Sequence, residues 1–396
     1  MIENKPIIVQ KYGGSSVATT EAIRQVAKLI AERQRSGFRL CIVVSAMGKT
    51  TDQLLSQAKE ICANPSRREL DMLLTCGERA SMALLAMALE DVGVPSMSLT
   101  GSQSGIITDD VHSGAKIIEV RPTRVKEALL QGKVVIVAGF QGISTQKEIT
   151  TLGRGGSDTT AVALAAALQA EACEIYSDVA GVFSADPRIV PDAHKLDQIS
   201  FEEMEELASA GAKVLNAQAV QFAKKQGIAI HAMRTGDDKD KTIISDQNIE
   251  ALRSLTAIAH KEKLHGILLP DISALGTLLG ILQKQGIAPM RIFGHGTSYI
   301  CLIAREDTHG LDRLIQTLAP IGEYTAAFGS LSLVGKGLSD APALLNKALH
   351  TLANLQIKVF GLSCSTMRAD ILLRSETVES AVKALHQTLI VEHSEP

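Results

Sequence analysis

Residues 150–164 read TTLGRGGSDTTAVAL, where three glycines and one arginine occupy four consecutive positions just before an alanine-rich helical stretch. Glycines let the backbone approach a ligand closely, and the guanidinium of Arg154 presents a planar fork of donors that fits a carboxylate or a phosphate. Asp158 lies where it could cap the following helix. A cap alone requires neither the arginine nor three glycines, so the stretch predicts an anion-binding turn.

A second turn of this kind is VQKYGGSS at residues 9–16. A predicted strand delivers Lys11, and Gly13 and Gly14 then expose backbone N–H groups shortly before a helix begins. Successive N–H groups near a helix N-terminus form a concave anion site, and the lysine adds a full positive charge. The pattern favours a phosphate site, and a plain strand-to-helix turn is the alternative interpretation.

A third candidate is LLTCGERAS, where Glu78 and Arg79 follow a glycine inside an otherwise apolar helical stretch. These residues predict a ligand site, and the alternative is a surface ion pair or a solvated kink. The short motif alone favours neither interpretation.

Two familiar nucleotide motifs are incomplete in this chain. AMGKTTD ends like a P-loop, but that loop also needs a glycine at position 43, which is valine. GRGGSD, GHGTSY and GKGLSD each begin with the G-x-G of a dinucleotide fingerprint, but the third glycine is replaced by Asp158, Tyr299 and Asp340 respectively. Neither a P-loop nor a Rossmann dinucleotide site is therefore predicted.

The composition excludes several broad classes of protein. The chain has 396 residues, a formal net charge of −3, 3% aromatic residues and no tryptophan, so a nucleic-acid-binding surface is not expected. The N-terminus lacks the pattern of a signal peptide, and no uninterrupted apolar run reaches about 18 residues, so no membrane span is expected. Six cysteines lie in apolar stretches without a C-x-x-C pair, which predicts buried, reduced thiols in a cytoplasmic protein.

Strand and helix patterns alternate from residue 6 to about residue 233. Continuous apolar strands such as RLCIVVSA and VVIVAGF are typical of a sheet that is buried on both faces. Helices with apolar stripes connect them, including the long SRRELDMLLTCGERASMALLAMALED. The alternation predicts an α/β layered fold with a mainly parallel sheet. The charged, turn-rich GDDKDKT at 236–242 then indicates a domain boundary.

The tail beyond this boundary contains an internal repeat. GILQKQGIAPMRIFG (280–294) aligns without a gap to KALHTLANLQIKVFG (347–361) at an offset of 67, which matches Phe293 to Phe360. Each copy reads as strand, helix, strand, strand, helix. The tail is therefore predicted to contain two copies of one small α+β module.

Six motifs, in this order, resemble those of the aspartate kinase family in the amino acid kinase superfamily: KYGGSSV, VVSAMGKTTD, LLTCGERAS, TLGRGGSDTTA, YSDVAGVFSADPRIV and GAKVL. The resemblance covers about residues 7–235, and the repeated tail resembles the paired ACT regulatory modules of the same enzymes. It implies an amino acid kinase-like αβα sandwich with a mainly parallel sheet, followed by two ferredoxin-like α+β ACT modules. The implied domains are a catalytic domain at 1–240 and modules at 250–325 and 326–396.

The activity that this resemblance implies is transfer of the γ-phosphoryl group of ATP to the side-chain carboxylate of L-aspartate, giving 4-phospho-L-aspartate. A carboxylate with a reference pKa of about 3.9 is already ionised at neutral pH, so the reaction needs positioning and charge neutralisation and no general base. Mg²⁺ is expected to bridge the ATP oxygens and to keep mostly water ligands, with no dedicated metal site in the protein. The alternatives are another amino acid kinase, acting on acetylglutamate or glutamate, and a catalytically dead amino-acid sensor.

The resemblance also assigns roles within the site. The expected catalytic residues are Lys11 and Lys213, which face the phosphates, and Asp158, which orients Lys11. For L-aspartate, Arg154 is expected to bind the α-carboxylate and Glu78 the α-ammonium group. The other residues expected to contact L-aspartate are Ser45, Thr51, Gly155, Gly156 and Ser157. The other residues expected to contact ATP are Gly13, Gly14, Ser15, Ser177, Asp178, Phe183, Arg188 and Val214.

Two segments of the tail depart from the family pattern. Residues 271–276 lack the usual proline-glycine helix start, and residues 363–370 lack the Thr-Ser-Glu-Ile type segment of lysine- or threonine-inhibited relatives. The paired modules still imply binding of an amino-acid effector, lysine or threonine, and assembly into a homodimer or higher homo-oligomer. A purely structural dimerisation tail is the alternative.

Overall fold

The computed structural model describes residues 5–153, 155–212, 214–237, 240–246, 255–285, 287, 289–303 and 311–391. The chain divides into two compact units. The first unit contains Met1–Val182, Lys195–Ala208 and Lys213–Ile249, and the second contains Phe183–His194, Ser209–Ala212 and Glu250–Pro396. The second unit therefore includes two short segments that lie inside the catalytic domain predicted at 1–240.

The first unit is built on an eight-stranded sheet. Its strands, numbered in chain order, are β1 (Ile7–Tyr12), β2 (Arg39–Val44), β3 (Ser96–Leu99), β6 (Val134–Ala138), β9 (Ala172–Ser177), β10 (Gln198–Ile199), β11 (Ile230–Arg234) and β12 (Lys241–Ile244). The spatial order is β10-β12-β11-β9-β1-β2-β6-β3, and only β11 and β12 pair antiparallel. The prediction of a mainly parallel sheet is confirmed.

Helices cover the sheet in the same part of the chain. They are α1 (Thr20–Arg35), α2 (Thr50–Ile61), α3 (Arg67–Asp91), α4 (Thr123–Leu130), α5 (Gly156–Leu168), α6 (Phe201–Ala210) and α7 (Ala217–Gln226). Helix α1 begins after Thr19, whose side chain accepts a hydrogen bond from the N–H of Ala22. The predicted apolar stripe of α1 is buried, and it packs in one core with Leu85 and Leu89 of α3.

By length and composition alone, α3 could cross a membrane. It has 25 residues and contains a window of mean hydropathy 1.4. Its apolar residues Leu85 and Leu89 are fully buried, and its acidic residues Asp71 and Glu78 are buried as well. Buried acids that contact other parts of the protein are typical of a core helix, and they explain why the apolar pattern is interrupted.

Two parts of the first unit show no clear pattern in the sequence. A small four-stranded sheet, in the order β5-β4-β7-β8, consists of β4 (Ile106–Thr108), β5 (Ile117–Val120), β7 (Gln141–Ser144) and β8 (Ile149–Thr151). Strands of three or four residues are too short to show a clear alternation of apolar and polar residues. Strand β12 lies at the end of the charged stretch 236–242, so the first unit continues past the boundary predicted there.

The second unit contains a six-stranded antiparallel sheet. Its strands are β13 (Ala257–Leu269), β14 (Arg291–His295), β15 (Ser298–Ile303), β16 (Glu323–Val334), β17 (Gly361–Cys364) and β18 (Arg368–Arg374), in the order β14-β15-β13-β16-β18-β17. Its helices are α8 (Ile272–Gln285), α9 (Leu311–Leu318), α10 (Pro342–Asn354) and α11 (Val378–His386), with short helical turns at Leu338–Asp340, Ser375–Thr377 and Gln387–Val391.

The two modules of this unit share their longest strands. The second part of β13 pairs with β15 and with the beginning of β16, whereas the first part of β13 pairs with the end of β16. Each module thereby obtains the four strands of a ferredoxin-like fold, and the predicted pair of α+β modules is confirmed. The boundary predicted between residues 325 and 326 falls inside β16, because the first strand of one module continues the last strand of the other.

The residue matches of the predicted repeat are wrong by three positions. Arg291 lies opposite Leu302 in the first hairpin, and Gly361 lies opposite Leu372 in the second, so equivalent residues are 70 positions apart. The ungapped alignment of the two copies places equivalent residues 67 positions apart. Apolar residues on a helix recur every three or four positions, so an alignment that slips by three residues still matches apolar side chains. Phe293 and Phe360 are therefore not equivalent.

Segment 183–194 belongs to the second unit because it packs into that unit's core. Ala185 and Val190 are buried in one cluster with Leu331 of β16 and Leu385 of α11. The Oγ atom of Ser184 also lies 2.8 Å from Nε2 of the buried His386. This segment begins inside the YSDVAGVFSADPRIV motif, so apolar packing within the second unit positions residues that the resemblance assigns to ATP.

The cysteines are free, and half of them are buried. Burial raises the pKa of Cys41 to about 12 and that of Cys301 to about 11, and it also raises the pKa of Cys173, so these thiols are unreactive. The prediction of buried thiols is wrong for the exposed cysteines, which are Cys62, Cys76 and Cys364.

Candidate active site

Several predicted site residues lie at the carboxyl ends of neighbouring parallel strands. Lys11 lies near the end of β1, Ser45 directly follows β2, and Ser177 is the last residue of β9. These strands are adjacent in the order β9-β1-β2, so the three residues share one edge of the sheet. In open α/β sheets, ligands bind outside this edge.

Close backbone contacts fix the glycine turn after β1. The N–H of Gly13 donates to the carbonyl of Tyr176 at 3.2 Å, and the N–H of Gly48 donates to the carbonyl of Gly14 at 3.0 Å. A Cβ atom on Gly14 would lie 2.9 Å from the carbonyl oxygen of Ala46, so a side chain at this position would push the two loops apart. The glycines therefore allow the loops after β1, β2 and β9 to meet beside Lys11.

Lys11 forms an ion pair with Asp158, which belongs to the TLGRGGSD turn. Its Nζ atom lies 2.7 Å from Oδ1 of Asp158, and the two side chains are only 13% and 10% exposed. The other carboxylate oxygen of Asp158 accepts a hydrogen bond of 3.3 Å from the backbone N–H of Asn216. The two turns that were predicted to bind anions thus meet at one place, and a nearly buried carboxylate holds the lysine there.

Asp158 does not cap α5, contrary to one interpretation of the sequence. The helix begins at Gly156, and its N-cap residue is Gly155, which has a φ of +64°. A Cβ atom on Gly155 would lie 2.3 Å from Cβ of Asn216. Glycine is needed here for both the left-handed backbone and the close approach of the next loop. Asp158 lies in the first helical turn, where its carboxylate is free to meet Lys11.

Glu78 is a buried carboxylate at the same edge. Its Oε1 atom accepts a hydrogen bond of 3.2 Å from the N–H of Ala46, and its side chain is almost fully enclosed. The Oε2 atom is buried and has no hydrogen-bond partner among the residues that the structure describes. Desolvation by burial raises the pKa of Glu78 to about 7, against the opposing effect of its backbone hydrogen bonds. A surface ion pair at a solvated kink is therefore excluded for this residue.

Helix α3 reaches this position because Gly77 lets it approach the loop after β2. A Cβ atom on Gly77 would lie 2.7 Å from Cβ of Ala46. Ala46 is also the residue that approaches Gly14, so one loop contacts both the glycine turn and the helix that carries Glu78. The geometry therefore places a cation, Lys11, and a partly unsatisfied anion, Glu78, around the same loop.

The remaining residues predicted to contact L-aspartate are only partly described. Thr51 is half-buried in the first turn of α2. Ser157 is buried against Gly139, where an added Cβ atom would lie 2.7 Å from its Oγ atom. Arg154 and Lys213, which have major predicted roles, lie outside the described residues.

The residues predicted to contact ATP fall in both compact units. Ser177 and Asp178 lie in the first unit, whereas Phe183 and Arg188 lie in the second. The exposed Arg188 donates two hydrogen bonds to Asp186, of 3.0 and 2.7 Å. The other residues of this set, which lie in the first unit, are the exposed Ser15 and the half-buried Val214.

Three polar residues beside the site were not identified from the sequence. Oγ of Ser16 lies 2.7 Å from Oγ1 of Thr235, which also donates to the carbonyl of Ser177, so these side chains join the ends of β9 and β11 to the glycine turn. Asn216 caps α7 and contacts Asp158 through its backbone. An asparagine just ahead of the apolar stretch AQAVQF is a signal for a helix start, and it would have located this cap.

Comparison with known proteins identifies the family of this chain. The Amino acid kinase family model matches residues 6–233. The aspartokinase of Mycolicibacterium smegmatis is 43% identical over 404 residues, which cover 96% of this chain and 95% of the relative. The aspartokinase of Corynebacterium glutamicum is 40% identical over 408 residues with the same coverage of both chains. The chain belongs to the aspartokinase family. The predictions of the family and of a kinase activity are thereby confirmed.

The fold of an aspartokinase extends over both units. The crystal structure of E. coli aspartokinase III in complex with aspartate and ADP has a TM-score of 0.84 and 23% sequence identity, and the match covers 97% of this chain and 99% of that one. The aspartate kinase of Synechocystis has a TM-score of 0.56 and 33% identity, covering 96% of this chain and 69% of that one. The tail that contains the internal repeat is thus part of the aspartokinase fold.

A Gly77→Ala substitution should lower kcat/KM for L-aspartate by about tenfold or more. The added methyl group would push α3 and its Glu78 away from Ala46, although alanine by itself favours a helix by about 1 kcal/mol over glycine. Steady-state kinetics with varied L-aspartate would measure the effect. Gly280→Ala in α8 is the matched control, because no atom lies within 4 Å of its added Cβ. An unchanged kcat/KM for Gly77→Ala would show that this close contact is not needed.

Proposed function

We propose that this aspartokinase transfers the γ-phosphoryl group of MgATP to the β-carboxylate of L-aspartate, giving 4-phospho-L-aspartate. The observation that supports this most directly is the arrangement around Ala46. The glycine turn that follows Lys11 approaches the carbonyl oxygen of Ala46, and the buried, partly unsatisfied Glu78 accepts a hydrogen bond from the N–H of Ala46. The phosphate oxygens of MgATP match the cation Lys11, and the α-ammonium group of L-aspartate matches the carboxylate of Glu78.

The amino-acid half of the site is centred on Glu78. An ionised carboxylate with an unsatisfied buried oxygen needs a cationic partner, and the α-ammonium group of L-aspartate supplies one. We assign the α-carboxylate to Arg154 and to the N–H groups at the start of α5, around Gly156 and Ser157. The hydroxyl groups of Ser45 and Thr51 complete the substrate contacts. The β-carboxylate is thereby directed towards Lys11.

The phosphate half is centred on Lys11. Its ammonium group, the backbone N–H groups of Gly13 and Gly14, and the hydroxyl group of Ser15 bind the phosphates. Asp158 keeps Lys11 at this position through the 2.7 Å ion pair and does not accept a proton from the substrate. Lys213 is assigned to the charge that develops in the transition state. The β-carboxylate attacks as the ionised group, so no base is required.

The nucleotide end is assigned to residues that follow β9. Ser177, Asp178 and Val214, all of the first unit, are assigned to the nucleotide. Among the described residues no cluster of three or more histidine, cysteine or acidic side chains could hold a metal ion. We assign the magnesium ion to the phosphate oxygens of the nucleotide and to water, so MgATP is treated as the substrate.

An assay of ATP consumption with different acceptors tests the proposal. We expect ADP formation with L-aspartate and none above background with N-acetylglutamate or L-glutamate. Phosphorylation of N-acetylglutamate in place of L-aspartate would assign the chain to another acceptor. Binding of L-aspartate without any ATP consumption, in a folded sample supplied with Mg²⁺, would favour the amino-acid sensor.

We further propose that the second unit binds an amino-acid effector and mediates assembly into a homo-oligomer. One structure of E. coli aspartokinase III contains lysine and aspartate, with a TM-score of 0.75 to this chain. A cavity of about 750 Å³ in the second unit is lined by apolar residues and by Glu323 and Lys358, whose opposite charges suit a zwitterion. The same assay with added lysine or threonine tests for an effector, and the mass in solution measures assembly.

A further inference from the structure

A buried acid outside the predicted site connects the elements of the amino-acid half. Asp71 lies on α3, seven residues before Glu78, and its side chain is 0% exposed. Seven residues make almost two helical turns, so Asp71 and Glu78 project from the same side of α3 about 10 Å apart. Any element that Asp71 binds is therefore held at a fixed distance from Glu78.

Asp71 accepts hydrogen bonds from two other elements. The hydroxyl group of Thr151, at the end of β8, donates to Oδ1 at 2.6 Å. In the turn before β5, Ser113 donates from its backbone N–H at 3.1 Å and from its hydroxyl group at 3.2 Å, and Nδ1 of His112 lies 2.8 Å from Oδ2. Replacing the carboxylate would leave several of these donors without an acceptor.

The turn that Asp71 holds has a strained backbone. Ser113 has a φ of +62°, a left-handed conformation that costs a residue other than glycine about 1 kcal/mol or more. Such residues persist where the surroundings fix them, and they occur often at ligand-binding positions. Here the hydrogen bonds to Asp71 hold the backbone of Ser113 in its left-handed conformation.

The strained turn contacts the start of the substrate-binding turn. A Cβ atom on Gly153 would lie 3.6 Å from Cα of Gly114 and 3.9 Å from the carbonyl oxygen of Ser113. The N–H of Ala115 also donates to the carbonyl of Thr151 at 2.9 Å, only two residues before Gly153. Asp71 therefore fixes the position of Gly153 in two ways. It binds Thr151 of β8, two residues before Gly153, and it binds Ser113 of the strained turn beside Gly153.

We propose that Asp71 is a positioning residue for L-aspartate, which keeps Gly153, two residues after Thr151, at a fixed distance from Glu78. The inference rests on the proposed function, because it takes these two places as the binding points of the α-carboxylate and the α-ammonium group. Asp71 acts through these elements and does not touch the substrate. Misplacement of one binding point by about 1 Å can cost about a hundredfold in rate, so loss of Asp71 affects L-aspartate and leaves MgATP binding intact.

The first test replaces Asp71 by the isosteric asparagine. In Asp71→Asn one acceptor oxygen becomes an NH₂ group that faces donors of Thr151 or Ser113. We expect KM for L-aspartate to rise about tenfold, with KM for MgATP within about twofold of the original. Asp110→Asn is the matched control, because Asp110 is an exposed acid of the same segment whose carboxylate accepts hydrogen bonds from Thr145 and Gln146. This control should leave both constants unchanged.

A milder variant keeps the proposal testable if Asp71→Asn does not fold. Thr151→Val removes only the 2.6 Å hydrogen bond to Asp71 and should raise KM for L-aspartate about threefold. Thr150→Val, one residue away on β8, removes a hydroxyl group that binds Thr108 at 2.6 Å and should have no such effect.

The outcomes separate this inference from the proposed function. A rise in KM for L-aspartate with an unchanged KM for MgATP, in either variant, supports the positioning role of Asp71. An equal rise in both constants, or a lower melting temperature with unchanged constants, would assign Asp71 a purely structural role and overturn the inference. If the unmodified protein consumed no ATP with L-aspartate, the proposed function itself would fail, whatever the variants did.

Discussion

A Lys11→Ala variant should lose about a thousandfold in kcat, while its KM for L-aspartate changes by less than about threefold. The Lys11 ammonium group lies in a nearly enclosed place beside glycine backbone, so no water-exposed cation can replace it at the transferring phosphoryl group. Loss of one cation from such a transition state costs about 10³-fold or more in comparable enzymes. Initial rates with saturating MgATP and varied L-aspartate would separate the two constants.

The variant needs two controls. Lys49→Ala removes an exposed lysine from the neighbouring AMGKTTD loop and should keep kcat within about twofold, because this loop is not a P-loop. Lys11→Ala also leaves the carboxylate of Asp158 without its partner, which would destabilise the fold. Adding Asp158→Asn should restore the melting temperature but not kcat. Recovery of kcat in the double variant would contradict a direct role of Lys11 in the reaction.

The two glycine turns that contain or precede Lys11 and Asp158 could be found from the sequence, whereas the pairing of these two residues was implied by the family resemblance. Strand ends of a parallel sheet share one edge, and glycine turns at those ends leave the backbone bare for a ligand. The role of Glu78 came from the family resemblance, since its motif alone was equally compatible with a surface ion pair. Its burial and unsatisfied oxygen became visible only when α3 was placed against Ala46.

Asp71 could not be found in the same way. Its partners Ser113 and Thr151 lie 42 and 80 positions further along the chain, in a small sheet whose strands are too short to predict. The second unit poses a related problem, because β13 and β16 each serve two modules, so no single cut in the sequence separates them. The role of Asp71 and the sharing of β13 and β16 both depend on contacts between segments that are distant in the sequence. The local periodicity of apolar residues does not predict such contacts.

KM for L-aspartate should be about tenfold higher at pH 6 than at pH 8. Burial raises the pKa of Glu78 to about 7, so its side chain is mostly neutral at pH 6 and mostly ionised at pH 8. Only the ionised form pairs with the α-ammonium group of the substrate. The β-carboxylate of L-aspartate stays ionised over this range, with a reference pKa of about 3.9. KM for MgATP, measured at the same pH values, should not follow this curve.

Glu78→Gln tests the origin of this pH dependence. The glutamine can still accept the hydrogen bond from Ala46, but it offers no charge, so KM for L-aspartate should rise about ten- to a hundredfold at pH 8 and lose its dependence on pH. The unmodified protein should also release about half a proton when L-aspartate binds at pH 7, measurable by calorimetry in buffers of different ionisation enthalpy. A pH profile that persists in Glu78→Gln would assign the titration to another group.

Glu78 should lower the free energy of unfolding at the pH values where the enzyme binds L-aspartate best. A carboxyl group whose pKa is raised on folding stabilises the folded state below its unfolded pKa, near 4.5, and this stability is lost as the pH rises through about 7. The loss amounts to about 3 kcal/mol. Glu78→Gln should therefore melt at a higher temperature than the unmodified protein at pH 8 but not at pH 4.5, and bound L-aspartate should narrow the difference at pH 8. If Glu78→Gln and the unmodified protein melt at the same temperature at pH 8 without substrate, Glu78 is not desolvated in the folded state. The raised pKa of Glu78 would then not explain the dependence of KM on pH.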